Sequence, residues 1–265
     1  MVQSIISNKA NRLFLILGGF FIANALIAEI IGVKIFSLEQ SLGFSPLALR
    51  IFGNELSFNL TAGVLLWPLV FIMTDLINEY YGTRGVRFLS WLTAGLIAFA
   101  FVIFMGAIRL TPADFFVVSK QGSGVPDMQV AYKSVLGQGG FIIIGSLTAF
   151  LIGQLVDVFV FHRIKKLTGE KYIWLRATGS TLVSQLLDSF VVLFIAFYIG
   201  TRVNAQSVDF VWPLSLFLAV GIVNYCYKFL IALLMTPVLY WVHALIENYL
   251  GKDLAASMKK EAMEQ

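Results

Sequence analysis

Residues 60–85 read LTAGVLLWPLVFIMTDLINEYYGTRG. An apolar run over residues 60–73 passes straight into Asp75, Asn78 and Glu79, which lie within five positions of one another. Arg84 follows at once. A run this apolar predicts a membrane-spanning helix, which needs about 20 mostly apolar residues. The cluster at its end then has three readings: a solvated helix end, a metal site, or a solute site set in the bilayer.

The rest of the chain favours a membrane reading throughout. Of 265 residues, 58% are hydrophobic and 13% charged, with 24 Phe. A soluble domain carries roughly a quarter charged residues. The net charge of +4 is spread between apolar segments, which fits membrane topology and argues against binding nucleic acid. The single cysteine, Cys226, gives no disulfide framework, and His162 and His243 lack zinc-motif spacing. No metal and no cofactor are expected. Lys9 and Arg12 precede an apolar run that continues through Phe36, so it reads as a first span rather than a cleaved signal, whose apolar core is about 7–15 residues.

The fold class expected is an all-α membrane protein, one polytopic domain over 1–265. Six spans are predicted near 13–36, 60–81, 87–109, 140–161, 178–200 and 213–243, the last continuing as helix to about Leu250. Residues 251–265 form a tail. The alternation in LALRIFGNELSFNL, residues 47–60, predicts a short β-hairpin turning at Gly53-Asn54 between the first two spans. Residues 110–139, with Pro112, Gly122, Gly124 and Pro126, read as a loop.

Lys and Arg set the orientation. Lys9, Arg12, Arg84, Arg87, Arg163, Lys165, Lys166, Lys171, Arg176, Lys252, Lys259 and Lys260 fall on one side; Arg50, Arg109, Lys120, Lys133 and Arg202 fall on the other. The asymmetry places both termini in the cytoplasm.

Several ionisable residues fall inside these spans: Glu29, Lys34, Asp75, Glu79, Asp157, Asp188 and Lys228. Each costs about 2.5–3.5 kcal/mol at a bilayer centre on the lenient scale. Together they would match the whole stability of a typical domain, about 5–15 kcal/mol. They must therefore face one another, water or a solute. Asp75 with Asn78 and Glu79, Gln154 with Asp157, Gln185 with Asp188, and Asn224 with Lys228 are each three or four residues apart, hence on one helical face. Thr181 and Ser184 extend the Asp188 face. Four polar faces predict one central cavity, although Gln154, Thr181 and Ser184 are also the kind of residue that only holds helices together.

QLVDVFV at 154–160 is echoed by QLLDSFV at 185–191. Gly145, Ala149 and Gly153 form a small-residue ridge suited to close helix contact. Pro68 and Pro237 predict kinks in the second and sixth spans. No Walker lysine loop, H-E-x-x-H or G-x-S-x-G occurs, so ATP hydrolysis by this chain is excluded and an enzyme disfavoured.

TDLINEYYG at 74–82, GQLVDVFVF at 153–161 and the span layout resemble the VUT family of queuosine precursor transporters, over roughly residues 13–247. The resemblance implies a multi-pass protein of the bacterial inner membrane. It would import a 7-deazaguanine, such as 7-cyano-7-deazaguanine, for tRNA queuosine salvage, by secondary or facilitated transport. The partners implied are a purine-like small molecule and the lipid bilayer, without nucleic acid; a homo-oligomer is compatible. The chemistry agrees: a carboxylate can accept a guanine-type N1–H and 2-amino group together, while an amide or ammonium donates to O6. Asp157 or Asp188 is expected to read that edge, with Gln154, Gln185, Ser184, Asn224, Lys228 and Tyr225 around it. Phe159, Phe190, Tyr225 and Tyr227 are candidate ring clamps. Asp75, Asn78 and Glu79 are expected to gate the path or carry a coupling proton. Two other readings stay open: the substrate-binding membrane subunit of a multi-component vitamin-type importer, and a polytopic membrane enzyme or scaffold.

Overall fold

The computed structural model describes residues 7–137, 139–169, 172–203 and 211–264. Lys171, used above for orientation, lies outside the described residues. The molecule is a helical bundle with two small strand pairs at one end. Its long helices are α1 (Lys9–Ile31), α3 (Trp67–Arg109), α6 (Gly140–Thr168), α7 (Ile173–Leu193) and α9 (Leu214–Leu250). Between α1 and α3 come β1 (Ile35–Ser37), the one-turn α2 (Leu38–Ser41), β2 (Leu49–Ile51), β3 (Asn54–Leu56) and β4 (Asn59–Thr61). Short helices α4 (Asp114–Val118) and α5 (Met128–Leu136) precede α6, α8 (Gly200–Val203) follows α7, and α10 (Lys252–Met263) follows α9.

Among the described residues, five helices are long and apolar enough to cross a membrane. The difference from six predicted segments lies in α3, whose 43 residues contain most of the second and all of the third of them. At 1.5 Å per residue it would run about 65 Å, twice the hydrocarbon thickness. It is not straight: Gly82 has φ 67° and ψ −171°, a backbone geometry that only glycine adopts without strain. Large apolar side chains such as Phe20, Phe99, Val102 and Trp241 are exposed on the outside of the bundle, as expected where lipid is the solvent.

Several sequence expectations are corrected. The first span ends at Ile31, and Ile35 and Phe36 belong to β1 rather than to a helix. Residues 59–61 are strand and 62–65 a 3₁₀ turn, so the second helical run begins only at Trp67. Pro68 lies in the first turn of α3, where its missing N–H has no partner to lose, and it makes no kink. Pro237 lies inside the continuous α9. Residues 110–139 hold α4 and α5 rather than plain loop. The expected tail is largely the helix α10, whose Ala255, Met258 and Ala262 are buried. Apolar residues recurring at that 3–4 spacing mark a helix with one packed face.

The expected hairpin is present as β2 and β3, with Arg50 opposite Glu55. Its turn is Phe52-Gly53, one residue earlier than expected, and both residues have positive φ. That is the type I′ geometry matching strand twist. A second pair, β1 with β4, had no pattern in the sequence. Glu39 stitches this platform together. Its carboxylate accepts from the Phe58 and Leu47 amides at 2.8 and 3.4 Å and from the Ser37 hydroxyl at 3.2 Å. A small core of Leu60, Val64 and Tyr227 seats the platform against α9.

The main core joins α1, α3, α6, α9 and α10 through residues such as Phe21, Leu76, Ile77, Val86, Phe150, Phe161 and Met258. The ridge of Gly145, Ala149 and Gly153 faces α7. A Cβ on Gly145 would stand 3.2 Å from Ala196 N and Val192 O, and one on Gly153 3.6 Å from Asp188 Cβ. Residues Phe194–Ile199 beside Gly145 form a π-helical turn, a feature frequent at functional sites.

Candidate functional site

Helices α3, α7 and α9 enclose a cavity with about 550 Å³ of space, open mouth included. Its floor is apolar, with Ile72, Ile231, Met235 and Leu239. Into it project Asp75 from α3, Thr178, Thr181 and Gln185 from α7, and Lys228 from α9. The rings of Trp67, Phe71 and Tyr227 stand around them. Local spacing explains each set. Trp67, Phe71 and Asp75 recur every four residues on α3, while Thr178, Thr181 and Gln185 sit at i, i+3 and i+7 on α7, so each triplet shares a face. The platform closes one end, because Val64 and Tyr227 belong both to its core and to the cavity wall.

Behind this cavity lies a second polar layer. Gln154 and Asp157 on α6 are 1% and 0% exposed and do not reach the cavity. The Thr74 hydroxyl donates to Gln154 Oε1 at 2.9 Å, and the Ser184 hydroxyl to Asp157 Oδ1 at 3.2 Å. These bonds tie α3 to α6 and α6 to α7. They leave much unsatisfied: among the described residues, Asp75 Oδ1, both polar atoms of Asn78, Gln154 Nε2, Asp157 Oδ2 and Gln185 Nε2 are buried without a hydrogen-bond partner. Native interiors hold few such atoms. These atoms belong to five side chains on α3, α6 and α7.

Glu79 has a different environment. Arg176 grips its carboxylate with two bonds, Nε to Oε2 at 3.1 Å and Nη2 to Oε1 at 2.7 Å. Lys165 Nζ stands 3.2 Å from Oε2 and donates to the Glu79 carbonyl. Arg176 Nη1 also donates to Gly169 O. All three ionic side chains are 1% exposed. Glu79 is therefore not a solvated helix end, and Arg176 and Lys165 are not solvated loop charges. They form a buried knot joining α3, α6 and α7.

The remaining predicted residues are dispersed. Asp188 forms an ion pair with Lys228 and does not itself reach the cavity, although Lys228 does. Asn224 donates to Val220 O within α9, and Tyr225 packs edge-on against Phe229; neither lines the cavity, and Ser184 is turned to Asp157. Among the ring candidates, Phe159 is exposed and Phe190 packs against Phe217, leaving Tyr227 at the cavity. Glu29, buried on α1, accepts from the Ser146 hydroxyl of α6. Among the described residues no group of three or more His, Cys, Asp or Glu could hold a metal ion.

Sequence reasoning missed Trp67, Phe71, Thr178 and the Arg176–Lys165 knot. The signals were there: Trp67 and Phe71 continue the Asp75 face upward, and Asp157, Phe161 and Lys165 repeat every four residues. Lys165 and Arg176 were masked by their position between spans, where basic residues normally report topology.

A multi-pass membrane bundle with a largely apolar cavity between its helices, set with a few polar groups, suits a small-molecule transporter. Residues 61–242, from β4 through most of α9, match the family described as "Putative vitamin uptake transporter", and the chain belongs to that family. It is 29% identical over 194 residues to the "Probable queuosine precursor transporter" of Bacillus subtilis, covering 72% of this chain and 76% of the relative. It is 28% identical to the Haemophilus influenzae protein of the same name, over 71% and 70% of the two chains. To the Escherichia coli "Queuosine precursor transporter" it is 27% identical over 79% of this chain and 82% of that one. These relatives are transporters by name, not enzymes. No solved structure matches the chain.

Proposed function

We propose that this protein imports a queuosine precursor, 7-cyano-7-deazaguanine or a close 7-deazaguanine, across the bacterial inner membrane for tRNA queuosine salvage, without hydrolysing ATP. The names of its relatives support the substrate class. The observation that carries the site is one cavity holding a single carboxylate among aromatic faces. Asp75 accepts N1–H and the 2-amino group of the base, Gln185 or Lys228 donates to O6, and Trp67, Phe71 or Tyr227 covers the ring. Asp157, Gln154 and Asn78 support this layer from behind.

Six crossings with both termini in the cytoplasm complete this reading. The break at Gly82 divides α3 into two, with residues 59–66 completing the shorter crossing. Arg84 and Arg87 put that break on the basic, cytoplasmic side. The Glu79–Arg176–Lys165 knot then closes the cytoplasmic end of the path as its inner gate.

The test is uptake of labelled 7-cyano-7-deazaguanine by a strain that cannot make queuosine. Expression of the chain restores uptake, and Asp75→Asn abolishes it at equal membrane level. Full-rate uptake by that variant would remove Asp75 from the site. Proteoliposomes containing only this chain separate a self-sufficient transporter from a binding subunit that needs an energising partner, since the subunit alone moves nothing.

A further inference from the structure

The outward face of α3 carries a groove that is separate from the solute cavity. Ala98, Val102, Gly106 and Arg109 line it from α3, with Phe101 between them, and Ile143 and Leu147 of α6 form its far wall. Spacings of three and four residues keep each set on one helix face. Gly106 holds the groove open, because nothing stands within 4 Å of the place a Cβ would take there. Val102 and the neighbouring Phe99 and Ile103 are exposed, so this face looks onto lipid.

The groove is apolar along its length and charged at one end. Arg109, the last residue of α3, is its one charged lining residue among the described residues. It is exposed, and no hydrogen bond or ion pair engages it among the described residues. The short helix α5 packs on this end of α3, where Gln129 Nε2 donates to Ile108 O at 3.0 Å. Lys133, exposed and also without an ion pair among the described residues, lies one turn along the same face of α5. The same segment exposes Leu110, Phe115, Val130 and Val135, and apolar side chains beside free cations suit the boundary between headgroups and tails. From Ala98 to Arg109 the helix rises about 16 Å. That is close to one leaflet's share, about 15 Å, of the hydrocarbon core.

We propose that this groove seats one anionic phospholipid, its phosphate on Arg109 and one acyl chain laid past Gly106 and Val102 to Ala98. A guanidinium meets phosphate oxygens through two parallel hydrogen bonds, and no carboxylate lines the groove to oppose them. A headgroup with net negative charge gains from Lys133 as well. A zwitterionic headgroup brings a cation of its own, which Lys133 repels. The site lies outside the solute cavity and does not depend on which solute is carried.

Lipid titration of the purified full-length protein in detergent, read by native mass spectrometry, tests the site. Phosphatidylglycerol and phosphatidylcholine of equal chain length are compared. The first phosphatidylglycerol is expected to bind about fivefold more tightly or better, the factor that one cation at a membrane surface supplies. Arg109→Gln removes the preference, and since Arg109 has no partner in the protein the variant folds. Arg87→Gln, at an arginine equally exposed and equally free of partners among the described residues, keeps it. Gly106→Leu fills the groove without meeting a neighbour at its Cβ and weakens the binding of both lipids. Equal affinity for the two lipids in the wild type overturns the proposal, as does a preference that survives Arg109→Gln or is lost equally in Arg87→Gln. Unchanged binding by Gly106→Leu overturns it too. A lipid-free dimer that Gly106→Leu dissolves would give the groove to a second copy of the chain instead.

Discussion

Gln154–Asp157 and Gln185–Asp188 are the same motif on successive helices, and the fold uses them differently. The first pair is shut away from the cavity, its carboxylate facing the Ser184 hydroxyl and its amide the Thr74 hydroxyl. The second straddles the cavity wall: Gln185 reaches into it, and Asp188 holds Lys228, which also reaches in. Three-residue spacing dictates only that a Gln and an Asp share a face. What that face meets decides the chemistry: hydroxyls of α3 and α7 in one case, an ammonium of α9 in the other. Glu79 marks a limit beyond both, a carboxylate fully occupied by two cations.

That limit gives the largest expected effect. Arg176→Ala leaves Glu79 with Lys165 as its remaining cation in a dry site, and removing one partner of a buried pair costs about 3–5 kcal/mol. Loss of monodisperse protein in size-exclusion chromatography is the readout. A variant as stable as wild type would mean that the knot is a loose contact rather than a structural one. Charge removal at both ends, in Glu79→Gln with Arg176→Met, is expected to recover part of the loss.

The two copies of the motif separate next. Asp188→Asn strips Lys228 of its carboxylate and costs about 1–3 kcal/mol, and the double variant Asp188→Asn with Lys228→Met regains part of it. Thermal midpoints of the two singles and the double complete the cycle; simple additivity would mean the pair is not coupled. The glutamines sharpen the comparison further. Gln185→Leu removes one polar contact from the cavity and weakens apparent substrate affinity by about 3- to 10-fold, the equivalent of one hydrogen bond. Gln154→Leu loses the Thr74 bond at about 1 kcal/mol of stability and leaves apparent affinity unchanged. An affinity loss confined to Gln154→Leu would reverse the assignment of the two layers.

Much of this was legible before any coordinates. Apolar runs of spanning length are set by bilayer thickness, and the hairpin was announced by alternation around a glycine turn. Polar faces within spans could be listed because their energetic cost requires a reason. The partners of those faces were not legible, because helix rotation within a bundle is fixed by packing between segments far apart in sequence. Gly153, for example, allows Asp188 to lie against α6, and no local pattern reveals which buried aspartate Lys228 then neutralises. Pro68 was misread for a local reason: a proline starts a helix as readily as it bends one, and the strand before Trp67 decides which. The β1–β4 pair was invisible because no turn joins its two strands, which lie on either side of α2 and the β2–β3 hairpin in the chain.

The platform supplies the smallest effect, outside the bundle, where pH acts simply. Burial beneath the loops raises the Glu39 carboxyl toward neutrality, but hydrogen bonds from the Phe58 and Leu47 amides and the Ser37 hydroxyl outweigh it, leaving the group below its ordinary range. A carboxylate depressed in the folded state contributes stability that is present above its unfolded value, about 4.3. That contribution is lost as pH falls through the lower folded value. The Phe58 amide should therefore be protected from hydrogen exchange at pH 6 and lose protection on acidification. Glu39→Gln should lower protection at pH 6 and flatten the acid dependence, with apparent substrate affinity changed little because the platform only closes one end of the cavity. An identical acid response in wild type and Glu39→Gln would assign the effect to another group and release Glu39 from its role in fastening the platform over Tyr227.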